Sequence, residues 1–192
     1  MRLTLCLITV ALLTACASPA PQTASYLLRA EVTPTAGKQL ADSTIALGSI
    51  RVASYIDQPG LVMAMGDGTI HEARYHQWAE PLPVSLRRFM AAEISQASGL
   101  DVSAGGLPGT KTRVNLIVDQ LHGDGNGAAL LVAYWDVATG DSVLTYEFAE
   151  QQALTAAGYT ALVQAQEALL KRLAAAIAGS LKPAEQGAAA GS

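Results

Sequence analysis

The first 16 residues constrain this chain most, because they decide in which compartment it folds. Residues 3–13 form an apolar run behind a single positive charge, Arg2, and contain no charged residue, glycine or proline. A membrane-spanning helix needs about 20 apolar residues, so this shorter run is typical of a secretory signal. We therefore expect the rest of the chain to fold outside the cytoplasm.

Cys16 ends the tetrapeptide Leu-Thr-Ala-Cys that follows this run. The arrangement resembles a bacterial lipobox, which implies cleavage after Ala15, diacylglycerol on the Cys16 thiol and an acyl chain on the new amino terminus. These acyl groups are the only cofactors we expect. Two or more chains make anchoring stable, at about 0.8 kcal/mol per buried methylene. The alternative is an ordinary signal peptide cut at an Ala-x-Ala-like site, with Cys16 incidental.

Cysteine and charge content limit the mature chain further. The only other cysteine, Cys6, lies in the signal, so no thiol remains for a disulfide and the fold must rest on its core. The span 26–182 is long enough for one domain that buries about two thirds of its surface. Removal of the signal leaves 11 basic against 16 acidic residues. The densest basic cluster is Arg87 and Arg88, so we expect no nucleic-acid partner.

Composition divides the chain into four segments. Residues 17–25 are polar, contain prolines and lack apolar periodicity, and the last ten residues are Ala, Gly and polar. Such segments bury too little apolar surface to order themselves. The predicted organisation is a lipoprotein signal peptide (1–15), a lipidated cysteine with a flexible tether (16–25), a folded domain (26–182) and a disordered tail (183–192).

Apolar periodicity predicts two rounds of strands, each followed by a helix. A change of apolar parity at Gly48 predicts a bulge, and an Asp-Gly pair at residues 67–68 predicts a hairpin. The expected fold class is α+β, a single domain with an antiparallel or mixed sheet and two helices packed on one face. We expect strands over 26–29, 45–55, 61–65, 70–78, 113–121, 129–137 and 142–150, and helices over 83–97 and 159–181.

The histidines do not form a metal-binding or catalytic pattern. His71 and His76 have an odd spacing, which places them on opposite faces of a regular strand. His122 precedes an acid in a loop containing Gly123, Gly125 and Gly127, where it can serve as a ligand or a base, but we interpret this loop as a solvated hairpin turn. The sequence predicts no metal site.

Other catalytic patterns are absent as well. Asp57 and Glu80 are of the types that pair as acid and base, yet nothing in the sequence brings them together. The chain contains no Gly-x-Ser-x-Gly elbow, no phosphate-binding glycine loop and no His-Glu-x-x-His helix. We therefore expect a protein that is not an enzyme.

Two strings of residues carry a family resemblance. Residues 55–62 are Tyr-Ile-Asp-Gln-Pro-Gly-Leu-Val, and residues 78–82 are Trp-Ala-Glu-Pro-Leu. They resemble the ABC-type transport auxiliary lipoproteins, the PqiC-like family. In that family, a strand ending in Tyr-Leu/Ile-Asp-x-Pro precedes a hairpin and a Trp-Ala-Glu-Pro-Leu motif that opens the first helix. Tyr26, Trp135 and the Ala-rich closing helix match in position, so the resemblance covers nearly the whole mature chain.

The resemblance implies a non-catalytic accessory subunit of a lipid transporter. The other parts would be an ATPase, a permease and an MCE-domain protein that spans the periplasm. Ala17, where an Asp commonly retains lipoproteins at the inner membrane, favours the periplasmic face of the outer membrane. A homo-oligomer is left open. The alternatives are an envelope-structural or outer-membrane assembly lipoprotein, and a lipid-anchored periplasmic enzyme.

The two strings supply the candidate site, which serves either partner binding or structure. In the structural interpretation Trp78 covers the core under the first helix, Glu80 satisfies the helix-start amides and Pro81 shapes the turn. In the functional interpretation the same residues form a docking surface, and both can hold at once. The candidate residues are Tyr55, Asp57, Pro59, Trp78, Glu80, Pro81 and Leu82.

Overall fold

A computed structural model describes residues 21–31, 44–106 and 108–181. The predicted signal peptide, Cys16 and the predicted tail lie outside these ranges. The described part forms eight strands and two helices. They are β1 (Ala24–Tyr26), β2 (Ile45–Val52), β3 (Gly60–Ala64), β4 (Ile70–Trp78), α1 (Leu82–Ser98), β5 (Val102–Ser103), β6 (Thr112–Asp124), β7 (Ala128–Thr139), β8 (Ser142–Ala153) and α2 (Tyr159–Ser180).

The sheet is mixed and is built around β6. On one side β6 pairs antiparallel with β7, which pairs antiparallel with β8. On its other side β6 has two parallel partners, β2 along its first half and β3 at its end. β2 continues to β5, while β3 continues to β4 and then to β1. The expected α+β single-domain fold is confirmed.

The two helices pack side by side on the face of the sheet that carries the buried residues. α1 contacts β2 and β5, and α2 contacts β6, β7 and β8. Their apolar stripes recur every three or four residues, as predicted, and are buried. The most deeply buried helical side chains are Leu86, Phe89, Met90, Ile94, Leu162, Leu169, Leu170, Leu173 and Ile177.

The predicted bulge in β2 is present. Pairing between β2 and β6 shifts register between Leu47 and Ile50. The Ser49 amide donates to the Asn115 Oδ1 atom at 2.8 Å, and a side chain on Gly48 would overlap Asn115. The close approach of the Asn115 and Arg113 side chains of β6 therefore explains why glycine occupies position 48.

The first strand begins earlier than predicted. Ala24 and Ser25, assigned above to the flexible tether, lie in β1, where Ala24 stands beside His76 in a parallel pairing. The expected strand over 26–29 is correspondingly wrong beyond Tyr26. A three-residue edge strand contains too few residues to show the alternation on which strand prediction depends.

His122 and Gly123 were predicted in a solvated turn, and this prediction is wrong. β6 continues through both residues, and His122 is only 8% exposed. The His122 Nδ1 atom lies 3.0 Å from the Gly123 carbonyl oxygen. The Tyr55 ring lies over His122, with centroids 6.1 Å apart. The connection between β6 and β7 therefore contains only residues 125–127.

Gly60 is expected to tolerate no side chain. An added Cβ would lie 2.5 Å from the Ala73 backbone oxygen, so the neighbouring strand would have to move. We expect Gly60→Ala to lower the free energy of unfolding by about 1–3 kcal/mol, measured by urea denaturation. Gly125→Ala is the matched control, because the nearest atoms to its Cβ would be 3.8 Å away. Equal unfolding midpoints for the two variants would contradict this packing.

Candidate functional site

A depression at the start of α1 brings both strings of the candidate site together. It encloses about 360 Å³ and is lined, mainly by apolar atoms, by residues 57–59 and 78–82. The turn after β2 is held there because the Trp78 amide donates to the Pro59 carbonyl oxygen at 2.8 Å. We call this depression the motif pocket. Six of the candidate residues line it: Asp57, Pro59, Trp78, Glu80, Pro81 and Leu82.

Tyr55 is the candidate residue that does not line the motif pocket. It is half-buried, and its ring lies against His122 on β6. Burial, and secondarily the Asp119 carboxylate, raise the pKa of Tyr55 to about 12. The phenol therefore stays neutral at physiological pH, and Tyr55 serves packing at this position.

Trp78 belongs to the hydrophobic core and also forms part of the pocket lining. Its side chain is 9% exposed, and Leu82 beside it is 2% exposed. The following amide, that of Ala79, donates to the Tyr26 carbonyl oxygen at 2.7 Å. The end of β4 is therefore tied to β1, and Trp78 lies in the same buried cluster as Leu82 and Leu86 of α1.

Glu80 forms ion pairs that join two distant segments. Arg29 donates to both of its carboxylate oxygens, with Nη2 to Oε1 at 2.6 Å and Nη1 to Oε2 at 3.1 Å. Arg88 of α1 donates to Oε2 as well. The N-terminus of α1 has no side-chain cap, so the expectation that Glu80 satisfies helix-start amides is wrong. Two guanidinium groups are stronger partners for a carboxylate than helix amides.

The ion pairs also define what Glu80 can do chemically. Hydrogen bonds from Arg29 are the main cause that lowers the pKa of Glu80. The structure does place Asp57 and Glu80 on the lining of one pocket, which the sequence did not predict. A general acid needs a raised pKa, however, and Glu80 is held as an anion by two cations. The lowered pKa therefore argues against Glu80 as a general acid.

Neutralising Glu80 should weaken the fold in a pH-dependent way. Because the folded-state pKa of Glu80 lies below its unfolded value, its contribution is present above about pH 5 and is lost as the pH falls through the folded value. We expect Glu80→Gln to unfold at lower urea than wild type at pH 7. The difference between the two urea midpoints should shrink as the pH falls below the unfolded value of about 4.3 and through the lower folded value, and it should also shrink in high salt. A difference between the urea midpoints of wild type and Glu80→Gln that does not change with pH would contradict the ion-pair assignment.

The basic pair of α1 is engaged within the fold. The Arg87 guanidinium donates to the Leu47 carbonyl oxygen at 3.3 Å and to that of Ala104 at 3.0 Å. Arg88 is paired with Glu80. Both members of the densest basic cluster in the sequence thus make contacts within the fold.

Two of the histidines lie near the start of α2. His76 stacks on Tyr159 with ring centroids 4.3 Å apart, and the Tyr26 hydroxyl lies 3.0 Å from His76 Nδ1. His71 lines a groove that also includes Tyr159.

Within residues 21–31, 44–106 and 108–181, no three His, Cys, Asp or Glu side chains are grouped as a metal site. Neither helix of the described part is long and apolar enough to cross a membrane.

Sequence reasoning missed Arg29 as a member of the site. It precedes Glu80 by 51 residues and sits just after a strand that the sequence places poorly. No short motif joins the two positions. The one hint in the sequence was that Arg29, a cation near the start of the mature chain, had no assigned role.

Comparison with known proteins identifies the family. The model of the ABC-type transport auxiliary lipoprotein component matches residues 26–178. No curated protein matches the chain. A crystal structure described as an uncharacterized protein is similar with a TM-score of 0.72 at 21% identity, over 84% of this chain and 99% of that one. Protein XCC0632 from Xanthomonas campestris, a DUF330 protein, gives 0.65 at 17% identity, over 81% and 93%.

The structural likenesses show the fold, and the family match extends over both strings of the motif pocket. The match also spans β4, α1 and most of α2, and so includes Glu80 and both of its partners. The chain therefore belongs to the ABC-type transport auxiliary lipoprotein component family.

Proposed function

We propose that this chain is a non-catalytic accessory lipoprotein of an MCE-type ABC lipid transport system. It docks the transporter at the outer membrane for lipid traffic between the two membranes. The observation that carries this proposal is the motif pocket, in which both strings of the family resemblance line one depression. A periplasmic MCE-domain protein is the partner that this pocket receives.

The construction of the motif pocket suits binding. One wall is the rim of the buried Trp78, which is fixed by the core. The other is residue Glu80, whose carboxylate is held by cations from two segments. A partner that docks here therefore meets a preformed surface and loses little free energy in ordering it. The lining is mainly apolar and the Glu80 carboxylate is already paired with Arg29 and Arg88, so we expect an apolar partner segment.

The anchor completes the proposed arrangement. Acyl chains on Cys16 hold the protein on the periplasmic face of the outer membrane, because Ala17 follows the cysteine. The chain supplies an attachment point, and the ATPase and permease supply energy and passage. Docking accordingly needs no nucleotide.

Blocking the motif pocket tests the docking step. Ala79 is exposed and lines the pocket, so Ala79→Arg fills it without removing a core side chain. We expect this variant to bind the C-terminal part of the MCE protein at least about tenfold more weakly than wild type, measured without nucleotide. Ser142→Arg, at the exposed turn between β7 and β8, is the matched control and should bind normally. Equal binding by the two folded variants would place docking elsewhere.

Genetic deletion separates the proposal from its alternatives. Deleting this gene should weaken the envelope as deletion of the MCE partner does, and the double deletion should add little. Additive defects would favour an envelope-structural or assembly lipoprotein. Hydrolysis of a lipid or glycan by the isolated protein, with no association with the MCE protein, would favour a lipid-anchored enzyme.

A further inference from the structure

The direction of β1 determines where the anchor segment leaves the domain. β1 runs parallel to β4, with Ala24 beside His76 and Tyr26 beside Trp78. The chain that precedes Ala24 therefore leaves along β4 toward Ile70, at the tip of the hairpin formed by β3 and β4. The opposite end of β4, at Trp78, is the end that carries the motif pocket.

The hairpin tip exposes apolar side chains at this anchor-proximal end. Met65 is 54% exposed and Ile70 is 52% exposed, on either side of the tight turn between them. An apolar groove of about 610 Å³ adjoins the tip, with Met63, Leu154 and Tyr159 in its lining. With the groove beside them, Met65 and Ile70 form an apolar surface at the end of the domain toward which the start of β1 is directed.

The length of chain before β1 allows the tip to reach the membrane. From the level of Ala24 to Ile70, β4 extends six residues, about 20 Å. Cys16 lies eight residues before Ala24, which is up to about 27 Å of extended chain. An anchor on Cys16 can thus lie at the level of the hairpin tip while β1 stays paired with β4.

Charge at this end points to apolar contact with lipid. The segments that meet there, 63–71, 124–128 and 153–159, contain no Lys or Arg. Their acids are Asp67, which accepts from the Thr69 amide, and Asp124, which accepts from the amides of Asn126 and Ala128. His71 is the nearest titratable nitrogen, and Arg74 lies farther along β4. Attraction to anionic headgroups is therefore not the source of binding.

We propose that the tip of the β3–β4 hairpin, with Met65 and Ile70, enters the interface of the bilayer that holds the Cys16 acyl chains. The inference rests on the lipid anchor of the proposed function. It adds an orientation, because the motif pocket then lies at the far end of β4, about 26 Å from the tip and directed into the periplasm. Membrane contact at the tip thereby presents the docking pocket to its partner.

An environment-sensitive fluorophore on the tip tests this orientation. The mature chain has no thiol except the acylated Cys16, so Ile70→Cys can be labelled selectively in the full lipidated protein. Val143→Cys is the matched control, since Val143 is 59% exposed at the opposite end of the sheet. In vesicles of phosphatidylethanolamine and phosphatidylglycerol, the Ile70 label should shift to the blue and be quenched by a lipid-attached quencher. The Val143 label should stay solvated.

The outcomes separate the tip contact from the anchor. Acylation of Cys16 is read by mass spectrometry on the same sample, so a missing anchor is detected independently. If the protein is acylated but the Ile70 label stays solvated, the proposed contact between the tip and the bilayer is wrong while the anchor is retained. The same conclusion follows if the labels at positions 70 and 143 are quenched equally. Loss of quenching in 1 M salt would overturn the apolar mode. A blue shift without lipid quenching would mean that the label is shielded from water by a second copy of the protein and not by lipid, which would also overturn the proposed contact.

Discussion

Replacing Cys16 with Ser is expected to abolish acylation and outer-membrane anchoring completely. Only the thiol forms the thioether to diacylglycerol, so the chain should remain an uncleaved precursor held at the inner membrane by its apolar signal. The measurement is incorporation of radiolabelled palmitate, followed by separation of the two membranes. Ser18→Ala, just outside the lipobox, is the control and should be labelled and sorted as wild type.

The size of this effect follows from the anchor chemistry. Each buried methylene contributes about 0.8 kcal/mol, so loss of all acyl chains removes far more membrane affinity than any surface substitution can. Palmitate in the Cys16→Ser protein would disprove the lipoprotein assignment. Normal cleavage of wild type without any label would instead favour the ordinary signal peptide, with Cys16 incidental.

Truncating Trp78 should destabilise the domain by about 3–5 kcal/mol, the usual result of removing a buried aromatic ring. Trp78 is 9% exposed and belongs to the buried core cluster, so its loss would leave a cavity there. Such a loss is a large part of the roughly 5–15 kcal/mol that separates folded from unfolded domains. Urea denaturation measures it, with Tyr75→Ala on the same strand as the control, because Tyr75 is 39% exposed.

An unchanged unfolding midpoint for Trp78→Ala would show that the ring belongs to a docking surface and not to the core. With the expected loss, a transport defect of this variant reports on folding and carries no information on docking. That is why Ala79→Arg, which leaves the core intact, is the substitution that tests the motif pocket.

Local features of the chain predicted most of its elements. The stripes of α1 and α2, the alternation along the first half of β6, and the bulge at Gly48 all appear where expected. The first predicted helix also ends close to its expected stop, because Gly99 adopts a left-handed conformation in which its amide donates to the Ser95 carbonyl oxygen at 3.0 Å. Each of these features depends on residues that are close together in the sequence, so a short window of sequence is enough to predict it.

The errors fell where a residue's environment comes from distant parts of the chain. His122 was expected in solvent because it stands beside glycines and an acid, yet its strand continues and Tyr55 covers it. Glu80 was expected to cap a helix, because a carboxylate before a helix commonly does so. The position of Arg29 decided otherwise, and that position depends on which strand β1 joins.

The amino-acid sequence determined the helices, most strands and the family, since periodicity and short motifs carry each of them. Only the tertiary structure decided that the two strings line one pocket, that Glu80 joins Arg29 to Arg88, and that β1 runs parallel to β4 with its start on the side of the hairpin tip. These features require strand partners and directions. Such pairings unite residues about 50 positions apart through packing of the whole sheet, and no local pattern encodes them.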